Sequence, residues 1–430
     1  MFCPKCGRDL GDGPSVCPWC DGEPAQPPRK PARKRNGAIA SVAIVAMLLI
    51  AACAVAVYYG GSDDTTSSDS GDGGSSGTAY TSGEITMEEG RYSDYFTIEA
   101  ESNGDGTSTL TFTLAEDVAS NYTSFTWYIY SGSTRIGSTS TSSDTWASWT
   151  IDDGTYGEYT VYVSCSNRSS SMGGFPGFMS PGSLGQAQYY FTFSIDGTVT
   201  KTYSWTYGGE SYSVSIEFEY SEYSESLNGT AHSGRMYTTS FETIRNFLSV
   251  DDTTAELQSK LASAYTTATG DTADGQAYAE YLLAFVQICF DYLDDSYTYG
   301  YEEFYAYSIE TLYNDGGDCE DTSILLACLY ISAGYDAGVF VIPGHVIAAV
   351  YIDGYVAGST STTSSIAQFS YTYDGKTYYG CETTLDSNSY GIGWISSTYS
   401  IGSDGTVYYN GMAYTTADYG LKLPKSTASS

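Results

Sequence analysis

Between Gly37 and Tyr59 the chain runs through 23 residues, GAIASVAIVAMLLIAACAVAVYY, without a single charge. At about 1.5 Å per residue such a run, if helical, crosses a hydrocarbon core of roughly 30 Å, and no other feature constrains the architecture so strongly. A basic cluster from Arg29 to Arg35 abuts its N-terminal end, and Tyr58 and Tyr59 stand where an interfacial aromatic belt would lie. The positive-inside rule then predicts a single-pass protein of the cell membrane, with a cytoplasmic N-terminus and extracellular C-terminal domains. A cleaved signal peptide would have a shorter apolar core nearer the start of the chain. A lipobox ending in Ile50-Ala51-Ala52-Cys53 is a second alternative, but the apolar run continues past Cys53.

Charge divides the chain at the same place. Seven of the 17 Lys and Arg precede residue 36, whereas almost all of the 51 Asp and Glu follow residue 60, giving a net charge of −34. An acidic body of this kind repels phosphate backbones, so nucleic acid is not an expected partner.

The first 24 residues hold two C-P-x-C knuckles, Cys3-Pro4-Lys5-Cys6 and Cys17-Pro18-Trp19-Cys20, each followed closely by glycine. Four thiolates so spaced suit tetrahedral Zn²⁺, and a reducing cytoplasm disfavours disulfides. The stretch resembles the short zinc ribbons that begin many prokaryotic membrane proteins. A four-ligand ion has no open position, so this zinc is expected to be structural or to serve a cytoplasmic protein partner.

The remainder divides by pattern into a multidomain chain. Residues 25–36 form the basic juxtamembrane linker and 37–59 the span. Residues 60–85, rich in Gly, Ser and Asp, are expected to be flexible. From 86 to 200, segments such as STLTFTLA, SFTWYIY and YTVYVSC alternate with a period of two between polar turns, which predicts an all-β, immunoglobulin-like sandwich interrupted by a long loop at 169–186. From 201 to 420, strands are joined by helical patterns in DDTTAELQSKLASAYTTA and ADGQAYAEYLLAFVQICFDYLDD, predicting an α+β domain. Asn121, Asn167 and Asn228 open sequons on the presumed outer side.

The chemistry-bearing segment is GGDCEDTSILLACLYISAGYDAGVFVIPGHVIAAVYIDG, residues 316–354. Gly316-Gly317 reads as a flexible turn, after which Cys319 opens a helix with a buried stripe through Ile324, Leu325, Cys328 and Ile331. A thiol at a helix start is expected to favour thiolate through the helix dipole. His345 begins the next apolar strand but one, and is one of only two histidines in the chain, the other being His232. Glu320 and Asp321 read as dipole complements in the first helical turn. Cys289 and Cys328, on apolar faces, read as buried structural thiols.

YSIETLYNDGGDCEDTSILLACL and PGHVIAAVYIDG, with FVQICFDYLDD upstream, resemble the transglutaminase-like superfamily over roughly 203–395. The resemblance implies a papain-related core with Cys319 as nucleophile, His345 as general base and later acid, and an acidic third residue just before a Thr-containing turn. YYGCETT supplies Glu382 for that place, where family members more commonly carry Asp. Asp353 competes for it, although Asp353-Gly354 is explained as a hairpin turn. The implied reaction is thiol acyl chemistry on a protein or peptide outside the membrane, with water or an amine as acceptor. The alternative is a non-catalytic surface module on the same fold.

Overall fold

In the computed structural model the described residues are 75–80, 83–88, 90–167, 186–228, 241–301, 303–358, 366–384 and 390–425. The zinc-ribbon cysteines Cys3, Cys6, Cys17 and Cys20, the basic linker, the 37–59 span, most of the 169–186 loop and His232 lie outside them. Among the described residues no helix is long and apolar enough to cross a membrane.

Of the stretch 60–85 expected to be a flexible linker, the described residues include strand, and 60–74 lie outside them. Ser75–Tyr80 forms β1 and Glu84–Met87 forms β2. Seven more strands follow: β3 Phe96–Ser102, β4 Thr107–Leu114, β5 Ser124–Ser131, β6 Thr134–Ser138, β7 Trp146–Asp152, β8 Gly157–Ser166 and β9 Ala187–Asp196. They pair antiparallel into two sheets, ordered β3-β4-β7 and β2-β9-β8-β5-β6. Period-two alternation explains why: in β4 every second residue, including Leu110, Phe112 and Leu114, is buried while the threonines between them face outward. The inner faces meet through aromatic rings, with Phe96 4.6 Å from Phe191 and Phe112 5.5 Å from Phe193 between centroids. Trp127 of β5 is buried beside Phe96. The result is a two-layer β-sandwich.

Beyond it, β10 Thr198–Tyr207 and β11 Glu210–Glu219 form a long hairpin, and β1 adds to the free edge of β10 with Ser75 opposite Ser204 and Tyr80 opposite Val199. Strand β10 thus begins at Thr198, inside the stretch 86–200 expected to be sandwich, and β1 pairs with it. Backbone pairing places β1, helped by Tyr80, whose ring meets that of Tyr156 at 5.9 Å, and by Thr78, whose hydroxyl donates to Asp315; its sequence SSGTAY carries little other apolar content.

Helices fill the space between this sheet and a second one. They are α1 Tyr220–Asn228, α2 Asp252–Thr269, α3 Gly275–Cys289, α4 Ser308–Asn314 and α5 Cys319–Ser332. The start of α2 is fixed by Asp251, which accepts from the Thr254 N–H at 2.6 Å, and its end by Gly270 in the left-handed region at φ 77°. The second sheet comprises β12 Ala337–Ile342, β13 His345–Tyr351, β14 Ser370–Tyr373, β15 Lys376–Cys381 and β16 Gly420–Lys422. It is antiparallel throughout, ordered β14-β15-β13-β12-β16.

Helix α5 lies at the centre, packed on β12 and β13 on one side and on α2, α3 and α4 on the other. Its expected single buried stripe is therefore too narrow a reading: every residue from Glu320 to Tyr330 is buried. A helix enclosed on all sides needs no polar face, and its sequence accordingly shows little amphipathic periodicity.

Candidate active site

Cys319 is the first residue of α5, held there by Asp318, whose carboxylate accepts from the Glu320 N–H at 3.3 Å. The lead-in glycines are not flexible. Gly316-Gly317 pairs in parallel with Asp291-Tyr292, and a Cβ on Gly316 would stand 2.3 Å from the Asp291 carbonyl oxygen. A Cβ on Gly317 would stand 2.5 Å from that of Asp321. Glycine is required because two backbones and a buried carboxylate approach too closely for any side chain.

His345 opens β13, immediately after the Pro343-Gly344 turn in which Gly344 has φ +69°. Strand β13 packs directly on α5, with the Ser323 hydroxyl donating to the Val346 carbonyl at 3.2 Å. Glu382 follows the last residue of β15, the next strand in the sheet. The three elements thus bring Cys319, His345 and Glu382 to one end of the sheet.

The imidazole and the carboxylate pair directly, His345 Nε2 to Glu382 Oε2 at 2.8 Å. The second oxygen, Oε1, accepts from the Thr384 N–H at 3.1 Å and from its hydroxyl at 2.8 Å. Burial alone would push the Glu382 carboxyl up. The hydrogen bond to His345, the attraction of that ring when it is protonated, and the two hydrogen bonds from Thr384 outweigh it and hold the group below the usual carboxylate range. An ionised Glu382 fixes the tautomer: Nε2 carries the proton toward Glu382 and Nδ1 keeps its lone pair. Asp353 sits in the exposed hairpin turn after β13 and makes no such contact.

Four supporting side chains escaped the sequence reading. Gln287, buried on α3, donates through Nε2 to the Glu382 carbonyl at 2.7 Å and to that of Tyr390 at 3.1 Å. Thr383 joins its hydroxyl to those of Thr322 at 2.8 Å and Ser323 at 3.2 Å, linking the Glu382 turn to the first turn of α5. The signal for Gln287 was present as a lone amide in the apolar run YLLAFVQICF, since buried amides need partners.

The cysteine side departs from expectation. The thiol is not drawn toward thiolate: burial, and then the Glu320 and Asp318 carboxylates, push it well above the usual thiol range, opposed only by the Val346 N–H. Its own hydrogen bond goes to Glu320 Oε2 at 3.0 Å. Nor are Glu320 and Asp321 surface complements to a dipole. Both are buried, and Asp321 Oδ1 accepts from the Ala306 N–H at 2.8 Å. Cys289 and Cys328 are buried as expected, and burial holds both thiols high, Cys328 at about 12.

No protein-family model matches the chain, and no curated protein matches it in sequence. Two solved structures are similar to it. One, a candidate protease from Parabacteroides distasonis, aligns over 66% of this chain and 67% of its own at 11% identity and a TM-score of 0.21. The other, a candidate cysteine protease from Cytophaga hutchinsonii, aligns over 74% of this chain and 83% of its own, also at 11% identity and 0.21.

Proposed function

We propose that this chain is a membrane-anchored, outward-facing cysteine enzyme of the transglutaminase-like type, acting on amide or ester carbonyls of a protein or peptide. The observation that carries the reading is the 2.8 Å hydrogen bond between His345 Nε2 and Glu382, at the ends of neighbouring strands, one of which packs against the helix that Cys319 heads. In this reading Cys319 attacks the carbonyl carbon as its proton passes to Nδ1 of His345. The C–S bond forms, the carbonyl π pair moves to oxygen, and the Cys319 N–H at the helix start receives that oxyanion. Collapse expels the leaving group, which takes the proton from His345. Water then resolves the thioester in hydrolysis, or an amine in acyl transfer. A thiol held neutral by its surroundings makes proton transfer part of the attack, so His345 is needed in the acylation step itself.

The anchor rests on the uncharged 37–59 run and the basic cluster before it, and the four N-terminal cysteines are read as a structural zinc site. A second reading, a surface module that binds without turnover, draws on the hydrogen bond of the Cys319 thiol to Glu320 instead of His345. One experiment separates the two. The full chain in detergent is mixed with a peptide p-nitrophenyl ester and quenched for mass spectrometry. One thioester equivalent on Cys319, formed in a burst and slowed by His345→Ala, supports the enzyme. Acylation that ignores His345→Ala, or falls on another cysteine, leaves the binding module.

A further inference from the structure

Five carboxylates crowd the turn that carries Cys319: Asp295, Glu303, Asp318, Glu320 and Asp321. The ligand atoms of Asp295, Asp318 and Asp321 lie within 4.8 Å of one another, as do those of Asp295, Glu303 and Glu320. Crowded acids on a surface are common and mean little, but three of these five are not on a surface. Asp321 is 0% exposed, Asp295 2% and Glu320 4%.

Each of the three buried acids spends one oxygen on the protein. Asp295 Oδ2 accepts from the Phe304 N–H, Asp321 Oδ1 from the Ala306 N–H and Glu320 Oε2 from the Cys319 thiol. The other oxygen of each, Asp295 Oδ1, Asp321 Oδ2 and Glu320 Oε1, is buried with no hydrogen-bond partner. No Lys, Arg or His among the described residues forms an ion pair with any of the five. Buried carboxylate oxygens are ordinarily satisfied, and Asp321 and Glu320, each grouped with Asp295 and each short of a partner as Asp295 is, call for a positive one.

We infer that Asp295, Glu303, Asp318, Glu320 and Asp321 form a binding site for a hard divalent cation of the Ca²⁺ class. The donors of both groups are carboxylate oxygens, which favours a hard metal although the Cys319 sulfur forms a third group with Asp318 and Glu320, and they come from the Asp295–Glu303 segment and the start of α5, which suits the irregular coordination that Ca²⁺ accepts and Mg²⁺ does not. The cation would tie the Asp295–Glu303 loop to the start of α5, and Gly317 is glycine because Asp321 occupies the space a side chain would take. The site stands apart from the catalytic reading. Only its consequence for the enzyme rests on that reading: a cation on Glu320 competes for the carboxylate that now holds the Cys319 thiol.

The test uses the full chain in detergent, stripped with EGTA, and two probes, Ca²⁺ by calorimetry and Tb³⁺ by luminescence. Tyr292 and Tyr305 lie near enough to feel the Glu320 and Asp318 charges and would sensitise the lanthanide. Thiolates prefer softer metals, so the N-terminal cysteines do not compete for either ion. The expected result is one Ca²⁺ per chain with a dissociation constant between about 10⁻⁷ and 10⁻³ M, displacing Tb³⁺. Asp321→Asn and Asp295→Asn, near-isosteric, should each weaken binding at least about tenfold, the equivalent of one lost charge-assisted ligand. Glu303→Gln, at an exposed position that cannot unfold the core, should weaken it in the same direction. Native chain that binds neither ion, or Glu303→Gln and Asp321→Asn proteins that bind Ca²⁺ as the native chain does, would overturn the site. Cys319→Ser separates the two readings, because it should bind Ca²⁺ and form no thioester.

Discussion

The two sides of the candidate site are built on opposite principles. On the His345 side the carboxylate is fully partnered: one Glu382 oxygen on His345 Nε2, the other on Thr384, and its carbonyl clamped by Gln287. On the Cys319 side three buried oxygens have none, and the thiol is held by a carboxylate. One half is preorganised by the chain alone. The other is arranged around something the chain does not supply, and that difference predicts where each half will fail.

Removing the finished half should cost most. His345→Ala is expected to slow Cys319 acylation by about 10²–10⁴-fold, the usual worth of a positioned general base. Glu382→Gln should fall in the same direction, because the amide can donate to Nε2 and reverse the tautomer. Single-turnover release of p-nitrophenol measures both, and an unchanged rate for either would dissolve the contrast.

Relieving the crowded half should have the opposite sign. In EGTA, Glu320→Gln removes a charge that pushes the thiol up, so iodoacetamide labelling of Cys319 at pH 7 should rise, by about tenfold for each unit the thiol comes down. A fall would show that Glu320 assists the thiol.

Acidity should also divide them. Burial, and then the charges of neighbouring carboxylates, push Asp295 up to about 8 and Asp318 up to about 9, far above the unfolded carboxylate range near 4. Their protons leave the unfolded chain first, so their contribution to stability is complete below about pH 4 and is lost as pH rises through about 8–9. Glu382, held low, contributes above about pH 4.3 and loses its contribution as pH falls through its folded value. Urea midpoints in EGTA should therefore decline between pH 5 and 9, and Ca²⁺ should flatten that decline. A profile that Ca²⁺ leaves untouched would sharpen the comparison against the cation.

The smallest effect belongs to the clamp. Gln287→Ala leaves the Glu382 and Tyr390 carbonyls short of a donor, at a cost of about 1–3 kcal/mol, read as a lower urea midpoint.

How much of this was legible in the sequence follows the same division. Sandwich strands such as β4 announce themselves because one face is wet, and alternation survives. The Cys, His and Glu positions came from a local motif and a resemblance, and the structure brings them to one end of a sheet. Asp295 and Glu303 were invisible, since 24 and 16 residues separate them from Cys319 and only the packing of the Asp295–Glu303 loop on α5 joins them. Helix α5 hid its burial because enclosure on all sides erases periodicity. Strand β1 could not be foreseen from SSGTAY, which is placed by an unfilled edge elsewhere.

That strand has one more implication. Because β1 and β10 are neighbours, with Tyr80 opposite Val199, the chain leaves for the sandwich and returns from it at a single spot. The sandwich is an insertion in the continuous fold of the second domain, hung on adjacent threads. Any tension arriving from the N-terminal side would enter through β1, load the β1–β10 seam, and bypass the sandwich entirely.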